Sequence, residues 1–185
     1  MFQFRKGVST AVVTFFLSLL LSFSLLWKDK INITAIAAIL VIVIITGIVF
    51  DIVGTAAAAA TESGLHAMAA DKVSGAQDAI LLIRRADRVA NFCNDVIGDI
   101  CGTVSGALAS ALALRFYRMA PLPPDLWIVA CAAALTVGGK ALGKQYAIEE
   151  ANNIIFGVGK GMYWLRRNFP GMKQNKTQKN SKKRK

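Results

Sequence analysis

Two uncharged runs of 20 residues, Val8 to Trp27 and Ile31 to Phe50, follow one another with only Lys28-Asp29-Lys30 between them. A helix rises about 1.5 Å per residue, so each run covers roughly 30 Å, the hydrocarbon thickness of a bilayer. The polar turn joining them is too short for anything but an antiparallel helical pair. This pattern predicts an all-α integral membrane protein rather than a soluble domain. The first run follows Arg5 and Lys6, as a signal peptide does. It is longer than most signal cores, however, and Ser22-Phe23-Ser24 makes a weak cleavage site, so it is read as an extra span.

A third span is expected over about Val96 to Leu114, with Asp99 inside it, and a fourth over about Leu126 to Leu142, with Lys140 near its end. A loop with Pro121, Pro123 and Pro124 separates them. The fold class expected is therefore about four transmembrane helices. A cytoplasmic amphipathic helical hairpin is predicted between spans two and three. There Thr55 to Ala60 is strong helix-forming sequence. Leu65, Met68, Ala69, Val73, Ala76, Ile80 and Ile83 recur at helical spacing, with a break near Ser74-Gly75. Arg84, Arg85 and Arg88 are placed to reach head groups.

The chain is 55% apolar yet carries a net charge of +11, and the basic residues are unevenly placed. With four spans, 18 Lys and Arg fall on the side shared by both termini and four on the other. The positive-inside rule then puts both termini in the cytoplasm, in the cell (inner) membrane. From Lys173 to Lys185 there are seven basic residues and no acidic ones. This tail, residues 169–185, is expected to be disordered and drawn to anionic lipid head groups. It lacks aromatics for base stacking, so nucleic acid is not expected as a partner. Tyr163, Trp164, Arg166 and Arg167 read as an interface anchor just before it.

No catalytic signature is present: there is no G-x-S-x-G, H-E-x-x-H or P-loop, and an enzyme is not expected. Cys93, Cys101 and Cys131 contain no C-x-x-C pair and read as buried small hydrophobes. The single histidine, His66, reads as structural. Gly98, Gly102 and Gly106 recur every fourth residue, with Gly139 and Gly143 repeating the spacing. Such rows admit a second backbone, either within the chain or across a homodimer. Asp51 closes span two, and Asp95 and Asp99 lie one turn apart at the start of span three. Together they form a candidate site for a hard cation such as Mg2+, with Asn91, Asn94 and Thr103 as neutral oxygens. Lys140 is the candidate internal counter-charge that would neutralise them without a metal.

Phe50 to Ala56, Asn94 to Asp99 and Gly139 to Ala147 occur in the order of three motifs of the membrane domain of CNNM and CorB/CorC-type magnesium transport proteins. Over about residues 33 to 165 the chain resembles that domain. The family pattern is a span ending in F-S-x-S-E-T-A, a helical hairpin, a span with G-N-x-x-x-N, and a last span running into G-E-x-x-P-K-x-x-A and an amphipathic helix. The resemblance implies residues 1–30 as an added helix and turn and residues 31–168 as the membrane domain. It also implies a dimer and divalent cation transport or sensing. The departures point to an alternative, a non-transporting membrane scaffold or partner protein. Gly54 and Lys140 stand where the family has glutamates, Asp95 and Asp99 replace asparagines, and the regulatory CBS domains are absent.

Overall fold

The computed structural model describes residues 32–116 and 124–168, together with Ala11, Val12, Phe15, Phe16 and Leu19. Most of the first apolar run, the turn at 28–30, the loop at 117–123 and the basic tail lie outside the described residues.

Every element described is helical. Helix α1 spans Ile33–Ala59, well past the end of the apolar run at Phe50. Nothing between Phe50 and Ala59 stops it, because the alanine stretch is itself the best of helix formers. At about 1.5 Å per residue it is roughly 40 Å long. Two short helices follow, α2 (Ser63–Ala70) and α3 (Ala76–Ile83). The turn between them puts Lys72 at φ 56° and Gly75 at φ 91°. Gly75 is needed there twice over. Its φ is left-handed, and a Cβ on it would stand 2.6 Å from the backbone nitrogen of Lys160.

The next helix begins ten residues before the expected third span. Helix α4 (Ala86–Ala90) passes without a break into a π-helical segment, Asn91–Gly98, and then α5 (Asp99–Phe116). Asn91, Asn94 and Asp95 widen this helix instead of ending it. Helix α6 spans Pro124–Glu149, and after a bend at Glu150 helix α7 spans Ala151–Asn168. The bend keeps its backbone bonded, with the Glu150 N–H donating to Tyr146 and the Ile154 N–H to Glu150.

Among the described residues, two helices are long and apolar enough to cross a membrane: Ile33–Ala59 and the continuous Ala86–Phe116. On α1 the side chains of Ile39, Val41, Ile42, Ile45 and Val49 are exposed, so the helix is apolar on the outside as well as the inside. A helix apolar all round is expected where it is buried in a core or where it crosses a membrane.

The interior has two parts. In the first, Ile36, Leu40 and Ile44 of α1 pack with Val96 of the π segment and Ile100, Val104 and Leu108 of α5, and Ile128 and Ala132 of α6 lie against them. Small residues set the spacing: a Cβ on Gly47 would lie 2.9 Å from Cys101 Cβ, and one on Gly143 2.8 Å from Ile52 Cγ1. Gly139 abuts Ile48 in the same way. The second part joins the end of α1 to α2, α3 and the α6–α7 bend, through Ala56, Ala57, Leu65, Ala79, Ile80, Ala147 and Ile155.

Candidate functional site

The buried stripe of α1 runs Ile36, Leu40, Ile44, Gly47, Asp51, Gly54, at steps of three and four. Asp51 is therefore carried into the interior by the same periodicity that buries its apolar predecessors, and it is only 4% exposed. Lys140 on α6 meets it, Nζ to Oδ1 4.0 Å. Asn94 in the π segment packs on the same helix face, against Gly54. Its Oδ1 lies against Gly54 so closely that a Cβ there would overlap it. Gly98, four residues on, leaves room for the lysine: a Cβ on Gly98 would stand 3.3 Å from Lys140 Nζ. Asp51 and Lys140 thus form a buried polar pair beside Gly98, and Gly54, three residues along α1 from Asp51, seats Asn94. A π segment is a frequent feature of functional positions, because the added residue per turn re-aims side chains.

The centre is incompletely bonded. Asp51 Oδ2 and Asn94 Oδ1 are buried and have no hydrogen-bond partner among the described residues. A buried carboxylate without a counter-ion is strongly disfavoured, so the Lys140 ammonium is what makes Asp51 tolerable. The same ammonium opposes a metal. At about 4 Å and an effective dielectric near 20, a divalent cation would be repelled by several kcal/mol.

The three candidate carboxylates do not meet. Asp51 is interior, whereas Asp95 and Asp99 are exposed. Among the described residues, no three His, Cys, Asp or Glu side chains are grouped so as to hold a metal ion. Of the neutral oxygens, Asn94 Oδ1 is buried against Gly54 and Asn91 is exposed. The Thr103 hydroxyl donates to the Asp99 carbonyl at 2.9 Å. The glycine row also divides. Gly98 faces the interior and Lys140, while a Cβ on Gly102 or Gly106 would meet nothing within 4 Å. Residues four apart turn about 40° per step on an α-helix, enough to carry the row off the packed face by Gly106. Gly139 and Gly143 pack inside the chain, against α1.

A second polar pair joins α7 to α3. Arg166 donates two hydrogen bonds to Asp78, at 2.9 and 3.0 Å, and Asp78 is 4% exposed. No local pattern announces it, because the partners are 88 positions apart. It removes Arg166 from the interface anchor and uses it to pin α7 to α3. Beside it, a Cβ on Gly159 would stand 2.6 Å from the Gly75 carbonyl and 2.8 Å from the Ala79 nitrogen. At the surface, Arg84 donates to Glu62 at 3.1 Å and holds its carboxyl below the usual range, with His66, 2.9 Å away, adding to the effect. His66 is thus a member of a surface hydrogen-bond network with Glu62 and Arg84. Cys93, Cys101 and Cys131 are all free thiols, and only Cys93 is buried. No family model matches the chain, and no curated protein or solved structure matches it.

Proposed function

We propose that this is a multi-spanning membrane protein, arranged like the CNNM and CorB/CorC membrane domain, that serves as a non-transporting scaffold or partner subunit. Its home on this reading is the cell (inner) membrane, with both termini cytoplasmic. The observation that carries the reading is the Asp51–Lys140 pair at the interior position where the resemblance would put a cation. The protein brings its own positive charge on a tether, and a mobile divalent ion then meets repulsion instead of a cage. No catalytic role is assigned. The test is a melting series of the purified full chain in Mg2+ from zero to tens of millimolar. A melting temperature that stays flat supports the scaffold. A cation-handling protein would gain about 2.7 kcal/mol once the ion reaches a hundredfold excess over its Kd.

The exposure of Asp95 and Asp99 favours a second reading, in which two copies assemble and share Mg2+ between these carboxylates. On that reading the wild type responds to Mg2+, and Asp99→Asn loses much of the response. Either reading takes a homodimer formed on the open side of α5. Gly102→Leu is expected to weaken self-association in detergent by about tenfold or more, because a leucine there keeps two backbones apart. Gly98→Leu instead disturbs the fold around Lys140. An unchanged oligomeric mass for Gly102→Leu would end the dimer proposal.

A further inference from the structure

Helix α7 turns one side to the protein and another outward. Ala151, Ile155 and Gly159 are buried against the end of α1 and α3, and Arg166 is spent on Asp78. Outward, at steps of three and four, come Gly157, Lys160, Gly161, Trp164 and Arg167, all exposed. Trp164 is 60% exposed, a large apolar surface for one indole. A cation stands one turn to either side of it. The Lys160 ammonium lies 4.5 Å over the Phe156 ring, which holds its stem along the helix. The two glycines leave open surface next to the indole, with no neighbour within 4 Å of either ideal Cβ. The chain then continues, after a few residues, into the seven basic residues of Lys173 to Lys185.

We infer that this outer face of α7 is a docking surface for anionic phospholipid in the adjoining leaflet. Trp164 sits at the boundary of acyl chain and head group, and Lys160 and Arg167 hold the phosphate region on both sides. The chemistry is complementary at each point. An indole is apolar with one N–H donor and prefers that boundary, while the two cations match the negative surface of the cytoplasmic leaflet. Glycines in place of bulky side chains let a head group reach the helix. The inference rests on the membrane reading above, but not on what the Asp51–Lys140 centre does.

The test uses the full chain with Trp27→Phe and Trp127→Phe, so that Trp164 alone fluoresces, reconstituted in bilayers. Trp164 emission is measured with equal fractions of phosphatidylglycerol or phosphatidylcholine brominated near the head-group end of the acyl chains. Quenching by the anionic lipid should correspond to an apparent association roughly fivefold to thirtyfold stronger than for the neutral one, as expected for one to two charge contacts at about 1 kcal/mol each. In Lys160→Gln/Arg167→Gln the ratio should fall to about one while the melting temperature is unchanged. Equal quenching by both lipids in the parent protein overturns the inference and leaves the membrane reading standing. No quenching by either overturns the inference too, since Trp164 then lies clear of the acyl chains, and it leaves the two candidate spans, which do not contain Trp164, as they were. A ratio unchanged in the double variant assigns the preference to the tail and overturns the inference as well. So does single-stranded RNA that shields Trp164 from the brominated lipids.

Discussion

Lys140→Ala is expected to destabilise the protein by about 3–5 kcal/mol, the usual cost of stranding one member of a buried ion pair. Asp51 would remain on the packed stripe of α1 with no counter-charge, and its Oδ2 already lacks a hydrogen-bond partner among the described residues. Removing both charges should be far milder. Asp51→Asn with Lys140→Met keeps similar volumes and leaves no net charge in the interior, and most of the lost stability should return. The measurement is unfolding in one detergent of wild type, Lys140→Ala, Asp51→Asn, Lys140→Met and the double variant, with the coupling read from the double-mutant cycle of wild type, Asp51→Asn, Lys140→Met and their double. A Lys140→Ala protein as stable as wild type would show that the ammonium is solvated through some other route, and the centre would lose its claim to be structural. The comparison also bears on function. A lysine that is worth several kcal/mol to the fold is built into the position, which suits a scaffold. A lysine that can be deleted freely leaves a carboxylate for a cation to use.

How much of this was legible in the sequence differs from residue to residue. The helical class followed from Ile31 to Phe50 and the alanines after it, because period and length are local properties. The ends of the helices did not, since a helix stops only where something stops it. Asn91, Asn94 and Asp95 look like a boundary in one dimension but sit within a continuous helix as a π segment. Lys140 and Asp51 were each recognisable as expensive charges, and the lysine was a natural candidate for neutralising the carboxylate. That Asp95 and Asp99 face away was not legible, because the widened turn alters the face each residue presents. The glycines show the same limit. A spacing of four marks Gly98, Gly102 and Gly106 as equivalent, yet one packs against a lysine and two face open space. Arg166 was misplaced for a different reason. An arginine beside Tyr163 and Trp164 has the composition of an interface anchor, and only the long-range fold brings Asp78 to it.

The α3–α7 junction should be the other fragile point, and Gly159→Leu its most damaging substitution. The new Cβ would lie 2.6 Å from the Gly75 carbonyl oxygen and 2.9 Å from Ala79 Cβ. These neighbours are backbone and a Cβ, which cannot swing aside as a long side chain would. Gly75 is already committed to a left-handed φ, so the turn has little freedom to retreat. Overpacking of this kind costs about 1–3 kcal/mol in an ordinary core, and a backbone-to-backbone contact belongs at the upper end or beyond. Parting the two helices also breaks the paired hydrogen bonds from Arg166 and leaves the Asp78 carboxylate to find water. Because α1 and α5 are joined through a separate apolar cluster, the damage should be local. Amide hydrogen exchange should quicken across Ala76–Ile83 and Ala151–Asn168, with little change at Ile36 to Ile44 or Ile100 to Leu108. Arg166→Gln should give a weaker version of the same pattern, since the backbone contact survives and Arg166 is partly exposed. Acceleration spread evenly over the spans would mean that the two clusters unfold as one unit, and that α7 is integral to the bundle, not clamped to its end.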